Sequence, residues 1–167
     1  MVSMEYIKGR KGFTLIEMII AVALLAVAGT VAVRLFVHAH VSNRLAADID
    51  RSVFHGSAWI EKIKASPEDW IGGDPSALES VVSVSDAGSY VIYYDDGWQP
   101  LSGIRDPERE AAYAMHIGLY SVPGSDGLWA IDLRSFKIKP YPLRQKPYEE
   151  IYAVSAMLNT IGEVVEP

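Results

Sequence analysis

The chain has 167 residues, is 50% hydrophobic, carries a formal net charge of -6 and contains no cysteine. That is one domain's worth of chain. The net acidity argues against nucleic acid as a partner, because phosphate contacts need clustered Lys and Arg. The absence of cysteine excludes disulfides and thiolate metal sites. The charge is also lopsided: residues 1–12 hold Lys8, Arg10 and Lys11 against Glu5 alone, so the remainder is more acidic than the whole.

Residues 13–33 read FTLIEMIIAVALLAVAGTVAV, with one charge, Glu17, and no proline. A run of roughly 20 apolar residues at 1.5 Å each spans a hydrocarbon core of about 30 Å. The preceding KGRK (residues 8–11) is basic, and positive flanks stay in the cytoplasm, which places the N-terminus inside and everything after Arg34 outside. A permanent signal anchor is one reading of this segment. A secretory signal peptide removed after Ala26, Val27 and Ala28 is another, and it fits the small-x-small rule. Glu17 counts against the second, as does the continuation of the apolar run to Val33. A carboxylate inside a spanning segment is expensive and rarely incidental.

A third reading accounts for Glu17. KGFTLIEMIIAVALLAV (residues 11–27) resembles the N-terminal signature of type IV prepilins and of the related pseudopilins of type II secretion systems. In that signature a short basic leader ends in glycine and is followed by phenylalanine, a few apolar residues, and glutamate four positions after the phenylalanine. Here these are Gly12, Phe13 and Glu17. The likeness is close over about residues 8–35 and only architectural beyond. It implies cleavage between Gly12 and Phe13 by the membrane-embedded prepilin peptidase, followed by N-methylation of Phe13. Glycine before the cut has no side chain to obstruct the peptidase. The resemblance further implies that Glu17 meets the Phe13 amine of a neighbouring subunit, or its own. Buried charges are tolerable when paired and costly when not, so the pair would act as a register mark. Alternatively, Glu17 snorkels to the headgroups, one turn from the helix end. The implied partners are prepilin peptidase, other pilin or pseudopilin subunits and the inner-membrane assembly platform.

Beyond the anchor, residues 35–66 lack proline, and an apolar stripe runs Val41, Leu45, Ile49, Val53, Ile60, Ile63, with Gly56 inside it. Pro67 ends the run, so the spacing predicts one helix from Phe13 to about Ala65. Many type IV pilins have a proline partway along this helix; this chain has none between Phe13 and Ser66, and Gly29 is the one weak point of its apolar half.

A loop rich in Pro, Gly and Asp follows Ser66, with a short helical turn expected near Ala77. Strand patterns then occupy residues 80–85 and 90–94, separated by a turn at Gly88. Residues 113–119 and 129–133 alternate apolar and small or polar side chains around the PGSDG turn (123–127) and read as a hairpin, which Phe136 and Ile138 extend. Ile151, Val154, Leu158 and Ile161 fit a helix, but IYAVSAML followed by a turn over 159–162 and EVV reads equally as a closing hairpin. The family resemblance favours strands.

No G-x-S-x-G, H-E-x-x-H, P-loop or dinucleotide fingerprint is present. His38 and His40 are two apart on a helix and cannot share a metal, while His55 and His116 stand alone. YDDGW (94–98) and GSDG (124–127) carry oxygen ligands that calcium could use, and some major pseudopilins bind calcium; Asp-Asp-Gly is also an ordinary hairpin turn, and no cofactor is expected. The four tryptophans read as core or subunit-contact residues.

The expected fold class is α+β and pilin-like. A basic leader (1–12) is removed, followed by a transmembrane or filament-core helix (13–33), its amphipathic continuation (34–66) and a periplasmic or extracellular β-rich domain (67–167). The expected function is non-enzymatic: a subunit, with a minor one favoured, of a type IV pilus or secretion pseudopilus, anchored in the inner membrane with its N-terminus cytoplasmic. The alternative is a non-polymerising single-pass protein whose β-rich domain binds a periplasmic partner. A soluble enzyme released after Ala28 would need a catalytic constellation, and none is visible.

Overall fold

The computed structural model describes residues 13–71, 81–83, 88–142 and 146–160. The chain divides into two compact units, Met1–Ser42 and Asn43–Pro167. One helix, α1 (Leu15–Ala65), contributes to both. Its interior has no proline to interrupt the ladder, and Lys62 and Lys64 in its last turn complement the negative end of the helix dipole. Ser66 leaves the helical region (φ -142°, ψ 68°) because the Pro67 ring crowds the residue before it; a 3-10 turn, Pro67–Asp69, follows.

In the first unit, α1 is long and apolar enough to cross a membrane, and none of its most apolar window is buried. In the second unit the structure confirms the α+β expectation. Among the described residues, five antiparallel strands form a simple meander in chain order: β1 (Val81–Ser83), β2 (Ser89–Tyr94), β3 (Tyr113–Ser121), β4 (Leu128–Lys137) and β5 (Glu149–Asn159). A single turn of helix, α2 (Pro107–Glu110), lies between β2 and β3 and was not expected from the sequence. At the Gly88 turn (φ +90°) a β-carbon would lie 2.7 Å from the Leu119 carbonyl oxygen, so only glycine fits. The pattern at 129–133 and its extension through Phe136 form one continuous strand, β4, paired with β3 from Trp129↔Ser121 to Lys137↔Tyr113. The tail is strand, as the family resemblance favoured. The turn near Ala77 and the closing EVV strand lie outside the described residues.

One face of the sheet carries Tyr90, Ile92, Tyr94, Tyr113, Met115, Ile117, Ile131 and Leu133, and these form a single core with Ile60 and Ile63 of α1. The buried face of α1 in this unit runs Asp48, Ser52, Gly56, Ile60, Ile63. Val53, assigned to that face from the sequence, is 38% exposed. The reason is geometric. Val53 follows Ser52 by one residue, about 100° round a 3.6-residue helix, so the series Leu45, Ile49, Val53 runs beside the interface, while the true face is filled by a serine and a glycine that an apolar template skips. Gly56 brings α1 close: a β-carbon there would sit 3.2 Å from Leu133 Cδ2 and 3.5 Å from Tyr152 Cε1.

Of the tryptophans, Trp70 and Trp98 are buried and Trp59 and Trp129 pack against the core. Trp98 stacks on Tyr113 at 4.3 Å and on His55 at 5.6 Å. The Trp59 indole N–H donates to Tyr94 Oη at 2.7 Å. Next to this aromatic layer lies a buried polar group. Asp48 Oδ1 accepts from the Tyr113 hydroxyl (2.8 Å), and Oδ2 accepts from the Tyr141 hydroxyl (2.6 Å). Lys137 Nζ donates to Tyr113 Oη at 3.0 Å and stands 3.7 Å from Asp48 Oδ2. Burial, reinforced by the Asp48 carboxylate, pushes both tyrosine hydroxyls well above their ordinary value.

Candidate functional site at the start of the long helix

The first helical residue is Leu15, and Thr14 is its N-cap. The Thr14 backbone N–H donates to Glu17 Oε2 at 2.8 Å, and the Thr14 hydroxyl donates to the same oxygen at 2.9 Å. In return the Glu17 backbone N–H reaches Thr14 Oγ1 at 3.3 Å, and the first helical bond runs from the Met18 N–H to the Thr14 carbonyl at 3.2 Å. This is a capping box, S/T-x-x-E, in which cap and third residue satisfy each other's unpaired donors. The pattern is legible in the sequence as Thr14-Leu-Ile-Glu17, and sequence reasoning that treated Glu17 only as a charge in an apolar run passed over it.

Of the residues predicted at this site, Gly12 lies outside the described residues, Phe13 is 86% exposed, and Glu17 is anchored to Thr14. The atoms that cap the helix belong to Thr14 and Glu17, so a cut between Gly12 and Phe13 leaves all of them in place. That cut would create its new amine on the residue next to the Thr14 amide that Glu17 already holds. Downstream, Leu15, Met18, Ile19, Val22, Ala23 and Ala26 line one open apolar face, and Phe36 at 78% exposed continues the uncovered surface.

The other sequence candidates stand apart from this site. Asp95 Oδ1 accepts the backbone N–H groups of Gly97 and Gln99, both at 2.8 Å, so in YDDGW this oxygen serves the turn itself. Among the described residues, no three His, Cys, Asp or Glu side chains converge as a metal site. His55 packs against Phe54, Tyr94 and Trp98, and His116 against Phe136. Burial holds both imidazoles below their ordinary value, with the Arg51 charge adding to the effect at His55. The outer sheet face has a depression of about 350 Å³ lined by Ser89, His116, Tyr120 and Phe136, where Arg134 is already paired with Asp132 (3.0 Å) and Glu150 (3.7 Å).

Residues 7–33 match the family model of the prokaryotic N-terminal methylation motif. The chain carries the type IV prepilin and pseudopilin signature. That signature marks a pilin-like subunit processed by prepilin peptidase, and it is a structural motif, not an enzyme family. The capping box lies inside the matched segment, and the apolar part of α1 follows from it without a break, as a membrane anchor requires. No curated protein and no solved structure matches the chain significantly.

Proposed function

We propose that this chain is a minor subunit of a type IV pilus or type II secretion pseudopilus, cut between Gly12 and Phe13, N-methylated at Phe13 and polymerised through the apolar half of α1. The observation that carries this reading is the prepilin-type motif over residues 7–33 running directly into a helix whose apolar residues are uncovered. Such a surface is stable only against lipid or other helices. In this reading the basic leader stays in the cytoplasm and the sheet domain lies outside the inner membrane. An ATP-driven platform extracts the subunit, and Glu17 marks register by meeting a neighbour's Phe13 amine. The capping box supports a second role for Glu17, holding the helix start together through and after processing.

The deciding experiment is the intact mass and N-terminal residue of the chain extracted from the membranes of its native host. An N-methylated Phe13 start is expected. A start at Met1 would indicate a plain anchor, and a start at Gly29 a released soluble domain; either overturns the proposal.

A further inference from the structure

The buried group around Asp48 and Lys137 has the chemistry of a self-joining site. Both side chains are almost fully buried, at 3% and 4% exposed. Lys137 Nζ makes one hydrogen bond among the described residues, to Tyr113, and sits at 3.7 Å from Asp48 Oδ2, outside hydrogen-bond distance. An ammonium there has three donors and is served for one of them, beside the faces of Tyr113 (4.1 Å) and Tyr141 (4.9 Å). Burial accordingly pulls the amine below its ordinary value, against the opposing pull of Asp48, and a neutral amine is a nucleophile. The carboxyl it faces is held on both oxygens by phenol donors, Tyr113 at 2.8 Å and Tyr141 at 2.6 Å, the arrangement that stabilises negative charge developing on a carboxyl under attack. Glu149 is the third element. It lies directly opposite Lys137 in the β4–β5 register, which brings two side chains within reach on one face, and its Oε2 is buried.

We propose that Asp48 and Lys137 become joined by an intramolecular amide, formed by the folded domain itself, that links α1 covalently to β4. The step balances without any oxidant or cofactor. A proton passes from the Lys137 ammonium to the Asp48 carboxylate, giving amine and acid. Nζ then attacks Asp48 Cγ, forming the C–N bond. Glu149 takes a proton from the attacking nitrogen and delivers it to the departing oxygen; the C–O bond breaks and one water leaves. Two buried charges are replaced by one neutral amide, which removes the desolvation cost of an imperfectly matched pair. In a chain without cysteine, the link supplies a covalent tie between the helix and the sheet it carries. The proposal rests on this site alone and not on the filament reading.

The test is mass spectrometry of the full-length chain purified in detergent. An intact mass below that of the sequence by one water is expected, after allowance for any N-terminal processing. Tryptic digestion is expected to yield a branched product joining residues 45–51 to a peptide that begins at Ser135. N-terminal processing changes only peptides that end at or before Arg34, so the two proposals fail separately. The Lys137→Arg chain, which keeps the charge but not the nucleophile, should show no water loss. Glu149→Gln should fold, by circular dichroism, and also show none. A wild-type chain of full mass with the two peptides separate overturns the proposal, as does a water loss mapped elsewhere. Retention of the link in Glu149→Gln overturns the role given to Glu149.

Discussion

Gly56 is where the packing of α1 on the sheet can be tested most directly. Replacing it with alanine has two opposed effects. Alanine is favoured over glycine inside a helix by about 1 kcal/mol. Against that, the new β-carbon would stand 3.2 Å from Leu133 Cδ2, closer than the optimum of about 3.5–4.0 Å for carbon contacts, on a leucine with no exposed surface to retreat toward. The strain is of similar size to the gain, so Gly56→Ala is expected within about 1 kcal/mol of the parent. Gly56→Leu is different. It drives further carbons into the space of Leu133 and of Tyr152, whose Cε1 already lies 3.5 Å from the β-carbon position. Overpacking of that kind costs about 1–3 kcal/mol, and we expect the upper end, since both neighbours belong to the sheet. The assay is urea unfolding of the full-length chain in detergent, followed by tryptophan fluorescence. All four tryptophans, at positions 59, 70, 98 and 129, lie in Asn43–Pro167, so the signal reports this unit. A Gly56→Leu midpoint equal to that of the parent would mean that this face of α1 does not rest on Leu133 in solution, and the packing reasoning fails.

Three further outcomes are expected. His55 and His116 titrate below the ordinary value of 6.5 in the folded chain, so their contribution to stability is complete above pH 6.5 and is lost as pH falls through the folded values. The urea midpoint should decline below pH 6.5, and less steeply in His55→Phe; identical slopes would remove His55 from the account. Asp95→Ala strips the acceptor from two backbone N–H groups and should cost about 1–2 kcal/mol by the same unfolding assay; no change would mean that water replaces it. Glu17→Ala should leave membrane insertion intact and abolish incorporation into filaments, measured by subunit content of sheared filaments, while Thr14→Val, which loses the hydroxyl of the cap but keeps the carboxylate, should still assemble. Equal defects in both variants would assign Glu17 to the capping box alone.

Legibility in the sequence followed the kind of force at work. The extent of α1 was readable because it depends on local features, the missing prolines before Ser66 and the pair Ser66-Pro67. The β3–β4 hairpin was readable from period-two alternation on either side of PGSDG. The helix–sheet interface was not, because Asp48 looks like a solvent-facing residue until its partners appear, and Ser52 is buried with them. Those partners, Tyr113, Lys137 and Tyr141, are contributed by residues 65 to 93 positions away in the chain. Nothing in a local pattern distinguishes Lys137, on the buried face of β4, from Lys139 just beyond it. At the helix start the situation reverses: the T-x-x-E pattern is local, and it alone specifies the hydrogen bonds between Thr14 and Glu17.

The polar side chains of residues 13–33 connect these local details to function. There are three, Thr14, Glu17 and Thr30, and each finds its partner within a single turn of its own helix. Thr14 and Glu17 satisfy one another, and the Thr30 hydroxyl donates to the Ala26 carbonyl at 2.9 Å. A segment that depended on water or on one particular neighbour for these bonds would be stable in only one setting, since an unpaired polar group in hydrocarbon is costly. A segment that closes its hydrogen bonds internally can sit in lipid and then pass into a bundle of like helices without breaking any of them. The methyl and methylene groups that cover the rest of its surface are equally at home in both. Both cap bonds end on Glu17 Oε2, so in the proposed filament Oε1 is the oxygen that would meet a neighbour's Phe13 amine. The cap itself uses a threonine one residue inside the proposed cleavage point, so the same atoms would cap the helix before and after that cut.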